Sequence, residues 1–145
     1  MPDDRNNRSP DQPLRPSAHA GLRHVALFVP DLEACVAFYT DLLGMAIEWQ
    51  PDADNVFLTS GNDNLALHRR AAEAATPADS RLDHIGFILD TMAAVDRWHE
   101  WLRHHQVPIT AAPKTHRDGA RSFYCQDPAG NSVQMIFHPP ISRPE

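Results

Sequence analysis

The chain writes one phrase twice. "LRHVALFV" fills positions 22 to 29 and "LDHIGFIL" fills 82 to 89, each an apolar run with histidine third and a small residue two places after it. At a fixed offset of 60, His24 matches His84, Leu22 matches Leu82, Leu42 matches Leu102 and Ile47 matches Val107. Self-similarity on this scale marks an internal duplication. A unit of about 50 residues cannot easily bury its own sheet face, so the two copies must pack together or pair with copies in another chain.

Each copy reads β-α-β-β-β. In the first, Pro30 closes the opening strand and Asp31 caps a helix in which Leu32, Val36, Tyr39 and Leu43 recur at helical spacing, with Gly44 placed for a left-handed C-cap. Strands follow near 45–50, 55–60 and 64–69, with "GNDN" at 61–64 supplying turn chemistry. The second copy runs as a strand at 82–89, a helix over about 91–105 capped by Asp90 or Thr91, and strands near 107–112, 120–126 and 131–138. Its helix should turn Met92, Val95 and Leu102 inward, and Asp127-Pro128-Ala129-Gly130 makes the last turn. The fold class expected is α+β, in one domain over 21–139 with modules at 21–70 and 81–139 and a linker at 71–80. Residues 1–20, with Pro2, Pro10, Pro13 and Pro16 among charges, read as a disordered arm, and 140–145 as a tail.

Composition removes several classes of function. A chain of 145 residues, 42% apolar and 22% charged, suits one ordinary globular domain. Its net charge of −6, with basic residues scattered, argues against a nucleic-acid surface. No apolar run approaches the ~18 residues of a membrane span, and "MPDDRNNRSP" does not open a secretory signal. Cys35 and Cys125 read as small buried apolar residues, which suggests a reducing, cytoplasmic setting.

Strand alternation locates the candidate site. Val25, Leu27 and Val29 share one face of the first strand and Leu22, His24, Ala26 and Phe28 the other; the repeat sets Ile85, Phe87 and Leu89 against Leu82, His84, Gly86 and Ile88. On the last strands, Val133, Met135 and Phe137 oppose Ser132, Gln134, Ile136 and His138, while Leu65 and Leu67 oppose Ala66 and His68. If every greasy face meets a helix, then His24, His84, Gln134 and His68 look into one concavity. Imidazoles repeated on an open sheet face are placed to hold a metal ion.

Three stretches, "LRHVALFVPDLEACVAFYTDLLGM", "DHIGFIL" and "RSFYCQDPAGNSVQMIFH", resemble the vicinal oxygen chelate superfamily, which includes glyoxalase I, extradiol dioxygenases, fosfomycin-resistance transferases, methylmalonyl-CoA epimerases and metal-free bleomycin-resistance proteins. The resemblance covers about 21–139 and implies a glyoxalase-like fold, two βαβββ modules forming an open cup-shaped mixed sheet, usually in a homodimer. It also implies one divalent metal ion (Fe, Mn, Zn or Ni) on His24 and His84, with Gln134 where the family usually has glutamate. The fourth position of glyoxalase-type sites falls on Ala66, which cannot bind metal; His68, two residues on along the same face, is the substitute candidate. Arg121, Tyr124 and His116 are candidates for binding substrate.

The function implied is a metal-dependent small-molecule enzyme, a lyase, isomerase or ring-cleaving dioxygenase that chelates vicinal oxygens of its substrate. The alternative is a metal-free cup that sequesters a small molecule, as bleomycin-resistance proteins do. Between them stands a degenerate member with weakened metal binding, to which Gln134 points.

Overall fold

The structure, a computed structural model, describes Pro13, 22–71 and 82–142. The arm expected at 1–20 and the linker at 71–80 therefore lie, but for Pro13 and Ala71, outside the described residues. Eleven stretches of regular backbone repeat one plan: β1 (His24–Val29), α1 (Leu32–Ala37), β2 (Ala46–Asp52), β3 (Asn55–Thr59) and β4 (Asn64–Arg69), then β5 (Ile85–Leu89), α2 (Met92–His104), β6 (Ile109–Thr115), β7 (Arg121–Gln126) and β8 (Ser132–Phe137), with a π turn at Phe38–Leu42 continuing α1. They form two four-stranded sheets, ordered β1-β4-β3-β2 and β5-β8-β7-β6. Within each, the first strand runs parallel to the last and the other pairs are antiparallel.

The helices begin where short polar side chains cap them. Asp31 Oδ1 accepts the Ala34 amide at 3.0 Å, and Thr91 Oγ1 accepts that of Ala94 at 3.0 Å, so Thr91 and not Asp90 starts α2. The end of α1 departs from the expected plain helix. Its last turn widens, with Leu43 N–H reaching Phe38 O at 3.1 Å, before Gly44 closes it at φ +81°. The wider turn lets the adjacent Phe38 and Tyr39 both enter the core, at 4% and 0% exposure.

Greasy faces meet helices as the alternation requires. Leu27, Val29, Leu65 and Leu67 of the first sheet and Leu89, Val133 and Met135 of the second join Val95 and Leu102 of α2 in one continuous core. Met92 is the exception: at the first position of α2 it lies beyond the sheet and is 40% exposed. Burying a Leu- or Val-sized side chain contributes about 1.5–3 kcal/mol, so this shared core outweighs any single polar contact in fixing the modules to each other. Polar ties then set the register. Trp101 donates its indole N–H to Leu42 O at 3.0 Å, and the Tyr39 hydroxyl donates to Asp127 at 2.7 Å. Past β8 the described residues are tied back to the second sheet: Ser142 Oγ accepts the His138 amide and donates to Leu89 O at 2.6 Å.

Two edges run longer than the pattern suggests. β2 and β6 extend to Asp52 and Thr115, both with register shifts, and Pro113 sits within β6, where an edge strand tolerates it. The segment "KTHRDG" thus ends β6 with Lys114 and Thr115 and makes the hairpin turn with the rest.

Candidate metal and substrate site

His24 and His84 line one cavity of about 350 Å³ between the modules, together with Met45, Asn64, Gly86 and Phe87. His24 opens β1; its Cα partner on β4 is Asn64, and His24 Nδ1 lies 2.7 Å from Asn64 Oδ1. The amide cannot be turned the other way, because Asn64 Nδ2 donates to Glu48 Oε2 at 2.7 Å and a carboxylate only accepts. Asn64 must therefore present oxygen to the ring, and His24 must carry its proton on Nδ1. Nε2 is then the nitrogen left for a ligand. His84 presents the same nitrogen by another route, with Nδ1 2.6 Å from Asp83 Oδ2. Fixing the tautomer through the distal nitrogen is how proteins prepare imidazoles to bind metal.

Gln134, the third expected donor, is not among the residues lining that cavity and stands beside it on β8. Its ladder partner on β5 is Gly86, two residues past His84, and its Nε2 donates to the buried Ser122 hydroxyl at 3.1 Å. That bond aims Oε1 towards Gly86, where a Cβ would stand 3.7 Å from it. The missing side chain at 86 keeps the amide oxygen uncovered. Tyr124, opposite Gln134 in the β7–β8 ladder, stands edge-on to the His84 ring at 5.3 Å.

Other expected site residues are placed elsewhere. His68 shares the open face with His24, but β1–β4 pairing sets it opposite Phe28, four residues along from the His24–Asn64 pair. At ~3.3 Å per residue the two are about 13 Å apart, too far to share an ion. Arg121 stands an odd number of residues from Tyr124, so it leaves β7 on the helix side, where Asp96 of α2 at 2.6 Å and Thr115 at 2.9 Å take up its guanidinium. That pairing holds the Asp96 carboxyl below its usual range and removes Arg121 from the residues facing the cup. His116 lies in the β6–β7 hairpin, lining a separate hollow with Lys114 and Asp118.

Asn64, Glu48, Asp83 and Ser122 were not singled out by the sequence. Asp83 adjoins His84 and could have been; the others depend on strand register, which alternation alone does not give. Among the described residues no three His, Cys, Asp or Glu side chains come together to hold a metal. The candidate donors are instead two imidazole nitrogens and one amide oxygen. Donors of these types would suit a borderline divalent ion, held without a negatively charged ligand.

A family model described as the Glyoxalase/Bleomycin resistance protein/Dioxygenase superfamily matches residues 21–135. The glutathione transferase FosA of Serratia marcescens is 31% identical over 117 residues, covering 79% of this chain and 78% of that protein. An uncharacterized protein of Pseudomonas aeruginosa is 29% identical over 130 residues, 83% of this chain and 90% of that one. Among solved structures, a lactoylglutathione lyase from Agrobacterium tumefaciens superposes with a TM-score of 0.68 at 26% identity, covering 82% of this chain and 94% of that chain. Its two βαβββ modules and the match over nearly all of the described residues place this chain in the glyoxalase/bleomycin resistance protein/dioxygenase superfamily.

Proposed function

We propose that this protein is a divalent-metal-dependent small-molecule enzyme that grips vicinal oxygens of its substrate at an ion (Fe, Mn, Zn or Ni) carried by His24, His84 and Gln134. The observation that carries the reading is the matched setting of the two histidines: each has its Nδ1 on an oxygen acceptor, which leaves Nε2 as the nitrogen for an ion, and both residues line one cavity. An ion held there supplies a Lewis-acid charge to substrate oxygens. The protein's part is to orient the donors: Glu48 and Asn64 hold His24, Asp83 holds His84, Ser122 points the Gln134 oxygen, and Tyr124 sets its ring edge-on against His84.

A wholly neutral donor set leaves the ion its full charge, which supports lyase, isomerase or transfer chemistry over oxygen activation. Two relatives carry glutathione in their names, the transferase at 31% identity and the lyase at 26%. This supports a thiol co-substrate or thiol adduct for this chain as well. β1 and β5 are edge strands of separate sheets, and exposed edges invite pairing; with the family match they support a homodimer. No described helix is long and apolar enough to cross a membrane, and the two cysteines are buried free thiols, which supports a reducing, cytoplasmic setting.

A second reading, a metal-free binding cup, is favoured by the third ligand position, where a neutral amide stands in place of a carboxylate. Calorimetric titration of Mn(II), Fe(II), Zn(II) and Ni(II) into the protein and its His24→Ala and His84→Ala variants separates the two. Binding lost in both variants, with melting temperature unchanged, is the expected result. No binding to the parent protein would leave the cup, and a monomer by light scattering at micromolar concentration would remove the dimer.

A further inference from the structure

A hollow of about 690 Å³ opens where the first helix meets the second module, and it shares no residue with the histidine cavity. One wall is Ala37, Phe38 and Leu42 of α1 and its π turn; the other is Pro108 after α2 and Pro128 of the last turn. Three polar side chains line it as well: Asp41 of the π turn, Gln106 after α2 and Gln126 at the end of β7. The one hydroxyl near the Asp41 carboxylate, Thr40 Oγ1 at 3.3 Å, already gives its single hydrogen to Val36 O at 2.8 Å. Asp41 has no cationic partner among the described residues, and the side-chain amides of Gln106 and Gln126 have no hydrogen-bond partner there either. Gln106 stands at φ +60°, in the cap position after a helix where glycine is usual, so the chain keeps a strained residue there and with it an amide. The π turn is the second departure from regular backbone to border the hollow.

We infer that this hollow is a second binding site, which takes a primary ammonium carried on a compact hydrocarbon body. The ammonium pairs with Asp41 and gives its remaining hydrogens to the amide oxygens of Gln106 and Gln126, while the hydrocarbon lies against Phe38, Leu42 and the two prolines. Charge selects a cation. Asp41 is an unpaired carboxylate, the neighbouring Asp127 is already filled by four donors, and His105 lays its ring against Trp101 at 4.1 Å. Geometry selects an ammonium over a guanidinium, because the three acceptors come from three separate elements and the hydrogens of an ammonium diverge where those of a guanidinium share a plane. A divalent metal ion would ask for more oxygen ligands than one carboxylate and two amides provide. A ligand held by its charge to the first module and by its body to the second clamps the seam that Trp101 and Leu42 already tie.

The site is independent of the metal reading, so its test uses metal-stripped protein. NMR titration of the backbone amides with cyclohexylmethylamine and with cyclohexylmethanol compares equal hydrocarbon bodies with and without the charge. The parent protein should bind the amine at least about twofold more tightly at low salt, and the preference should shrink in high salt. Shifts should gather on 34–42, 105–108 and 126–130 and spare His24 and His84. Asp41→Asn should abolish the preference while retaining the weaker hydrocarbon binding. Gln106→Gly relieves the backbone strain and removes an amide, so it should raise the melting temperature while weakening the amine, a pair of opposite signs that a purely structural residue would not give. Failure of the parent protein to bind the amine, equal affinity for both probes, a preference surviving in Asp41→Asn, or shifts centred on His24 and His84 would overturn the site. So would conversion of a dimer to monomers by Asp41→Asn, which would give the hollow to an arginine of a second copy. None of these outcomes depends on whether the protein binds a metal.

Discussion

The phenol of Tyr39 donates its hydrogen to Asp127 Oδ2 at 2.7 Å, across 88 residues of sequence. The acceptor is itself the knot of a turn: Asp127 also takes the amides of Ala129 and Asn131 and the Asn131 side-chain amide. Asp127 is 4% exposed and Tyr39 fully buried, so this bond ties the helix of one module to the last turn of the other in a dry setting.

Tyr39→Phe should therefore destabilise without unfolding. Asp127 keeps three of its four donors, so the expected cost is about 1–3 kcal/mol. Asp127→Ala strands the Tyr39 hydroxyl and both turn amides together, and should cost more. Thermal or urea melts of the two variants check the order, and a Tyr39→Phe protein as stable as its parent would show that the core alone locks the modules.

Burial pushes the Cys35 and Cys125 thiols up to about 12 from 9.0, and burial beside Asp127 holds the Tyr39 phenol well above its ordinary 10. A raised folded-state value means stability is intact below the unfolded value and declines as pH climbs above it. Denaturation midpoints should thus hold steady through neutrality and fall from about pH 9 upward, and Cys125→Ala should flatten the early part of that fall. Neither thiol should react with iodoacetamide in the native protein at neutral pH.

Gln134→Glu places a carboxylate at the position proposed as the third ligand. The Ser122 hydroxyl, which accepts from the amide at 3.1 Å, can rotate to donate to the new oxygen instead. Metal affinity should rise at least about tenfold, the ion pair exceeding the desolvation it requires. In a metal-free cup the same change buries an unpaired charge and lowers the melting temperature. Paired metal titrations and metal-free melts distinguish the two results.

Asn64→Ala removes the partner that fixes the His24 tautomer without touching a metal donor. It should weaken metal affinity by about 10- to 100-fold and leave the melt nearly unchanged, because both His24 and its contact with Asn64 are exposed. Nitrogen NMR of the metal-free protein should show His24 passing from one tautomer to a mixture. An unaltered tautomer would remove Asn64 and Glu48 from the site.

Much of this was readable before any coordinates. The sixty-residue offset gives two modules, the period of two gives the face on which His24, His84 and Gln134 stand, and Asp31 and Gly44 mark the ends of the first helical segment. The same parity sets Arg121 and Tyr124 on opposite faces of β7, so the two substrate-binding candidates on that strand cannot both face the cup. His68 illustrates a harder limit. Alternation tells which face a residue occupies but not how far along a neighbouring strand it lies, and only the Phe28–His68 pairing shows the separation from His24. Asn64 and Glu48 were hidden for the same reason, since each acts through a partner that strand register brings to it.

The two modules no longer carry the same chemistry at equivalent ladder positions. Where the second sets Gly86 beside Gln134, the first sets Ala26 beside Ala66; where the first sets Asn64 beside its histidine, the second relies on adjacent Asp83. A duplicated chain can shed a donor from one copy because the other still presents it, and the vacated strand becomes free to vary. In this protein the stretch of β4 past Ala66 leads to His68 and its rings, so the module with no oxygen donor at that ladder position is the one whose open face carries a different set of side chains.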